Sequence, residues 1–151
     1  MGLLDKLITT LMADSSPHMR ELGIRFVFAD GGLAVGELPY RDDLVGDPAT
    51  GVLHGGVVTT LLDSTAGAAV MSALRVPAPI ATLDLRIDYL RPSTPHARLR
   101  ARVECYKVTS EVAFARGTAY NADENDPVAS MTATFMLHTQ SLPRTLTGGG
   151  T

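Results

Sequence analysis

Two kinds of residue that can act on a carbonyl group stand eight positions apart in this chain. Gly55 and Gly56 follow His54 at the start of an apolar run (Val57, Val58, Leu61, Leu62), and Asp63 interrupts that run. The first N–H groups of a helix have no partner within it and lie at the positive end of its dipole. A glycine there has no side chain to keep a ligand away, so Gly55 and Gly56 can donate to an oxygen that is gaining negative charge. The same pair also suits a tight turn before a helix for backbone reasons alone. Asp63 is the stronger signal. It lies a little over two helical turns beyond Gly55, among Leu61, Leu62, Ala66 and Gly67. A carboxylate in such surroundings is costly unless it is paired or used, and perturbed carboxylates concentrate at reactive sites. An oxyanion donor with a tunable base points to acyl-group chemistry. The structural alternative is an Asp63 that bonds to a neighbouring strand or to the same helix of a second subunit.

These residues need an element to hold them. Residues 54–74 form the longest apolar stretch without proline, and apolar positions cover most sides of the helix they predict, so that helix must be buried. Pro77 and Pro79 end it. Upstream, Leu3, Leu4, Leu7, Ile8, Leu11 and Met12 predict an amphipathic helix over 3–13. Strands are expected at 24–28 and 33–38 around a Gly31-Gly32 turn, and a loop over 40–52. Downstream, 80–90 alternates strictly, with Leu83, Leu85, Ile87 and Tyr89 on one face and Thr82, Asp84, Arg86 and Asp88 on the other. Further strands are expected at 98–108, 112–121 and 128–138, and a disordered tail over 140–151. Runs of adjacent strands with short turns favour an antiparallel sheet, so the class is α+β: a sheet wrapped around one long central helix, in a single domain over 1–139 that includes the N-terminal helix.

Bulk properties exclude several functions. The chain has 151 residues, 45 % of them hydrophobic, and a formal net charge of −3. That suits one folded domain and gives no general attraction to nucleic acid or to an anionic membrane. Cys105 is the only cysteine, which fits a reducing, cytoplasmic setting and a packed thiol in a strand. Asp5 and Lys6 argue against a signal peptide, and no segment is long and apolar enough to span a bilayer. His18, His54, His96 and His138 have no metal-ligand spacing, so no metal is expected. No phosphate loop or dinucleotide fingerprint is present, and Ser64 is not in a nucleophile elbow.

The stretch His54-Gly55-Gly56-Val57-Val58-Thr59-Thr60-Leu61-Leu62-Asp63-Ser64-Thr65-Ala66-Gly67 closely resembles the signature of hotdog-fold thioesterases of the phenylacetic-acid-pathway type. The resemblance continues in Ala81-Thr82-Leu83-Asp84-Leu85-Arg86-Ile87-Asp88-Tyr89-Leu90-Arg91-Pro92, and the strand order fits the family over nearly the whole chain. It implies a hotdog fold and hydrolysis of a small or medium acyl or aryl coenzyme A thioester, with no cofactor beyond the coenzyme A of the substrate. It implies that Gly55 polarises the carbonyl, that Asp63 is general base or nucleophile, that Thr82 helps place the attacking water, and that His54 orients the loop or contacts the thioester. Gly56 would adjoin the substrate. Arg91, with Arg86 nearby, would contact coenzyme A phosphates. Family sites lie between subunits, so a homodimer or a dimer of dimers is expected. One departure stands out: relatives often carry Asn or Gln seven residues before the oxyanion glycine, and here that residue is Pro48, with Asp47 adjacent. Two rival functions remain within the fold. One is a non-catalytic acyl-CoA-binding protein, which Pro48 favours. The other is an enoyl-thioester hydratase or dehydratase, faintly suggested by Gly46-Asp47-Pro48 and His54.

Overall fold

The structure, a computed structural model, describes residues 16–139. The helix expected over 3–13 and the tail expected from 140 lie outside the described residues. The chain enters through a short helix, α1 (Pro17–Leu22), which Ser16 caps by accepting the Met19 N–H and Gly23 closes at φ 76°. Then come β1 (Arg25–Asp30), β2 (Leu33–Leu38), the long helix α2 (Gly55–Ala73), β5 (Ile80–Tyr89), β6 (Leu99–Val108), β7 (Val112–Tyr120) and β8 (Ala129–Leu137). The loop expected over 40–52 is more ordered than its composition suggests. It holds a 3-10 turn (Asp42–Leu44) and two short paired strands, β3 (Val45–Asp47) and β4 (Val52–Leu53).

The main sheet runs β1-β2-β6-β7-β8-β5, and every neighbouring pair is antiparallel. It curls around α2, the hotdog arrangement that the sequence resemblance implies. Small residues make the fit close. Ala34, Ala101, Ala113, Ala115 and Ala119 face the helix with no exposure. Opposite them Leu61, Leu62 and Val70 of α2 are fully buried, each contributing about 1.5–3 kcal/mol of transfer free energy. On the outer face of β2, Glu37 is 5 % exposed and ion-paired to Arg25 (2.9 Å), Arg100 (2.9 Å) and Arg98 (3.6 Å). Burial alone would raise its carboxyl, but the three guanidiniums outweigh that and hold it below the usual carboxylate range.

The strict alternation expected along β5 is broken. Thr82 opposes Phe135 of β8 while Asp84 opposes Thr134, so Leu83 is an extra residue in a bulge. Directly opposed residues of an antiparallel pair present their side chains to the same face. Thr82, Leu85, Ile87 and Tyr89 oppose Phe135, Ala133, Met131 and Ala129, all of them core residues. The bulge therefore moves Thr82 from the outer face, where alternation puts it, to the helix face. It leaves Leu83 outside, 53 % exposed.

Candidate active site

The site is built around the first turn of α2. His54 is the N-cap, extended at φ −61° and ψ 135°, and its Nδ1 accepts the Gly56 N–H at 2.9 Å. The His54 backbone is fixed on both sides: its N–H donates to Leu44 O and its carbonyl accepts from Val57 N, each at 2.9 Å. The two glycines therefore differ. The Gly56 N–H is taken by His54, whereas the Gly55 N–H meets no acceptor among the described residues. Gly55 also borders an apolar cavity of about 420 Å³, with Val52, Leu53, Val58, Tyr89 and Leu90 around it.

The Gly55 carbonyl is tied down by groups that the sequence did not single out. Tyr89 Oη donates to it at 2.7 Å and Thr59 Oγ1 at 3.1 Å, and the two hydroxyls lie 2.8 Å apart. The signals were present but weak. Thr59 stands one helical turn after Gly55, and Tyr89 falls on the helix face of β5.

Asp63 is half-buried in the single chain rather than enclosed, as its apolar neighbours suggested. Thr82 Oγ1 donates to its Oδ1 at 2.9 Å, and Oδ2 receives no hydrogen bond from a described residue. The structure thus brings Asp63 and Thr82 together at one point of α2, and His54, Gly55 and Gly56 together at another. The two arginines part company. Arg86 points to the outer face, 72 % exposed and paired with Asp88 at 3.1 Å. Arg91 borders the cavity with its guanidinium engaged: Nη2 donates to Asp126 O at 2.8 Å, Nη1 to Pro92 O at 2.9 Å, and Nε lies 3.1 Å from Asp126 Oδ2. Pro48 borders a separate cavity of about 260 Å³ beside Tyr40 and His96. The Asp47 carboxylate accepts the Ala49 N–H at 3.0 Å and so caps its own turn. Among the described residues, no three His, Cys, Asp or Glu side chains cluster as a metal site would require.

An antiparallel sheet curled around one long helix is the hotdog fold. The chain belongs to the thioesterase superfamily, whose family model matches residues 50–128. The medium/long-chain acyl-CoA thioesterase YigI of Salmonella typhimurium is 34 % identical over 148 residues, covering 87 % of this chain and 92 % of its own. A Pseudomonas aeruginosa protein of known crystal structure is 38 % identical, with a TM-score of 0.79 over 86 % of this chain and 96 % of its own. The phenylacetic acid degradation protein PaaI of Thermus thermophilus, solved as a mutant, is 31 % identical, with a TM-score of 0.69 over 80 % of this chain and 98 % of its own.

Proposed function

We propose that this chain is an acyl-CoA thioesterase whose site is completed by a second copy of itself. The observation that carries the proposal is the Gly55 N–H, which meets no acceptor among the described residues at the start of α2 and adjoins an apolar cavity. A thioester carbonyl oxygen placed there gains a donor where negative charge develops. Eight residues of helix separate Gly55 from Asp63, a rise of about 12 Å, too far for both to serve one carbonyl. A second subunit resolves this. β5 is an edge strand with one side unpaired. A two-fold axis through its middle sets its first half against the partner's second half. The half that carries Thr82, which holds Asp63, then faces the half that carries the partner's Tyr89, which holds the partner's Gly55.

Within that arrangement the partner's Asp63 takes a proton from water as the water oxygen bonds to the carbonyl carbon. The negative oxygen of the tetrahedral intermediate rests on the Gly55 N–H. The carbon–sulfur bond then breaks, the proton passes to the leaving sulfur, and coenzyme A and the free acid depart. Thr82 holds Oδ1 and leaves Oδ2 for the water. His54 serves by fixing the loop and helix start. Gly56 anchors the His54 ring through its N–H, and Arg91 stands at the cavity rim, where a phosphate could replace Asp126. Arg86, on the outer face, has no part in this scheme. The apolar lining of the cavity, and the similarity to the medium/long-chain acyl-CoA thioesterase YigI, support an acyl chain of medium length or longer. A homodimer or dimer of dimers follows from the shared site. The lone Cys105 favours a cytoplasmic setting; among the described residues no helix is long and apolar enough to cross a membrane.

The test is thiol release across a panel of acyl-CoAs, with Asp63→Asn as the partner experiment. Asp63→Asn is expected to lower turnover by roughly 10³-fold or more, as loss of a catalytic base does, while the protein stays folded and associated. Unchanged turnover in that variant would refute the assignment. Tight binding without thiol release would favour a binding protein, and hydration of an enoyl-CoA without thiol release would favour a hydratase.

A further inference from the structure

We propose that Tyr89 is a positioning residue for Gly55, a clamp that holds the start of α2 against β5; the assignment rests on the thioester-hydrolysis reading of the site. A backbone donor stabilises an oxyanion only if it is already aimed before the charge develops. Gly55 and Gly56 make that hard. Glycine has more backbone freedom than any other residue, and both stand at a helix end, where the hydrogen-bond ladder begins. His54 holds the peptide before Gly55, its carbonyl accepting from Val57 N, and holds the Gly56 N–H through Nδ1; something must also hold the Gly55 carbonyl and tie the whole turn to the sheet.

The hydroxyl pair does so. Tyr89 Oη donates to Gly55 O at 2.7 Å, Thr59 Oγ1 donates to the same carbonyl at 3.1 Å, and the two hydroxyls lie 2.8 Å apart. Thr59 belongs to the same helix and ties its first turn only to itself. Tyr89 belongs to β5 and ties the helix start to the sheet. Packing does not account for the hydroxyl, because a phenylalanine would cover the same apolar surface. The Tyr89 hydroxyl lies 3.4 Å from where a side chain on Gly55 would begin, at the edge of the cavity that the two residues share. The clamp therefore stands where the thioester must enter, and its loss is felt in turnover before it is felt in binding.

The experiment measures thiol release from octanoyl-CoA by the full chain, with wild type, Tyr89→Phe, Thr59→Val, Thr59→Ser and the Tyr89→Phe/Thr59→Val double variant, together with thermal unfolding of each. Tyr89→Phe is expected to lower kcat about 10- to 100-fold with KM within about 2-fold. Thr59→Val should give a smaller loss in the same direction and Thr59→Ser should restore it. The double variant should lose less than the product of the single losses, because both hydroxyls act on one carbonyl. A Tyr89→Phe protein with wild-type kcat overturns the clamp and leaves the thioesterase reading intact, as does a loss confined to KM or to the unfolding temperature. If Tyr89→Phe does not fold, Thr59→Val decides alone: unchanged kcat there overturns the clamp. A folded wild type that releases no thiol from any acyl-CoA removes both.

Discussion

At the residue scale, Gly55 sets two effects of one methyl group against each other. Gly55 is not among the glycines with positive φ, so alanine fits its backbone. The three atoms nearest to a Cβ there all belong to Tyr89, the hydroxyl at 3.4 Å being the nearest, an ordinary contact. Alanine also favours helix over glycine by up to about 1 kcal/mol. Gly55→Ala should therefore fold and unfold at an equal or higher temperature than wild type. The same methyl, however, occupies the approach to the Gly55 N–H, and thiol release should fall about 100-fold or more, the size of a lost oxyanion donor. A stabilised and inactive protein separates the two effects; a stabilised and fully active one would remove Gly55 from the chemistry. This residue was legible in the sequence, because a helix start announces itself by its glycines and the apolar run behind them. That Gly56 differs from Gly55 was not legible, since it depends on which way the His54 ring turns.

At the element scale, α2 can place both Gly55 and Asp63 only because the sheet lets it lie close. Among the described glycines, Gly36 of β2 lies closest against the side chains of α2. A methyl there would fall within van der Waals contact of the Thr65 hydroxyl and come 3.2 Å from Leu61 Cδ1. Thr65 cannot yield, being fully buried with its hydroxyl on Leu61 O at 2.7 Å. Gly36→Ala should cost about 1–3 kcal/mol of stability, as overpacking does, and Thr65→Ala in the same chain should recover part of it. Denaturant unfolding of the single and double variants checks this, and a Gly36→Ala protein as stable as wild type would mean that helix and sheet are not held at this spacing. The order of elements was readable from hydrophobic period, because α2 and the long strands carry clear patterns. The bulge at Leu83 was not: alternation in 80–90 is unbroken in sequence, and only pairing with β8 shows that one residue is skipped. That one skip brings Thr82 onto Asp63. The short strands β3 and β4 escaped for the opposite reason, being 3 and 2 residues long in a stretch rich in Asp, Gly and Pro.

At the scale of the whole molecule, the half-exposed Asp63 and the open edge of β5 raise one question, whether the site belongs to one chain or two. Asp63 is less buried in the single chain than its apolar neighbours in the sequence suggest. Leu83, Tyr89 and Leu90, 52–57 % exposed, lie in or beside the same unpaired edge. A near-attack geometry needs reacting atoms within about 3.5 Å, whereas Gly55 and Asp63 of one helix lie about 12 Å apart along its axis. If each site takes Gly55 from one subunit and Asp63 from the other, Gly55→Ala and Asp63→Asn damage different halves of the same site. Each variant alone is inactive. A mixed dimer carries both lesions in one site and none in the other. Random assortment of equal amounts makes about half the dimers mixed, each with one intact site of two, so activity should return to about a quarter of wild type. The experiment is to unfold the two variants together, refold them, and measure thiol release against each variant refolded alone. Recovery near that level requires a site shared between chains. If the mixture stays as inactive as its components while wild type refolds active, each chain carries its own complete site, and the two-fold pairing of β5 loses its functional basis.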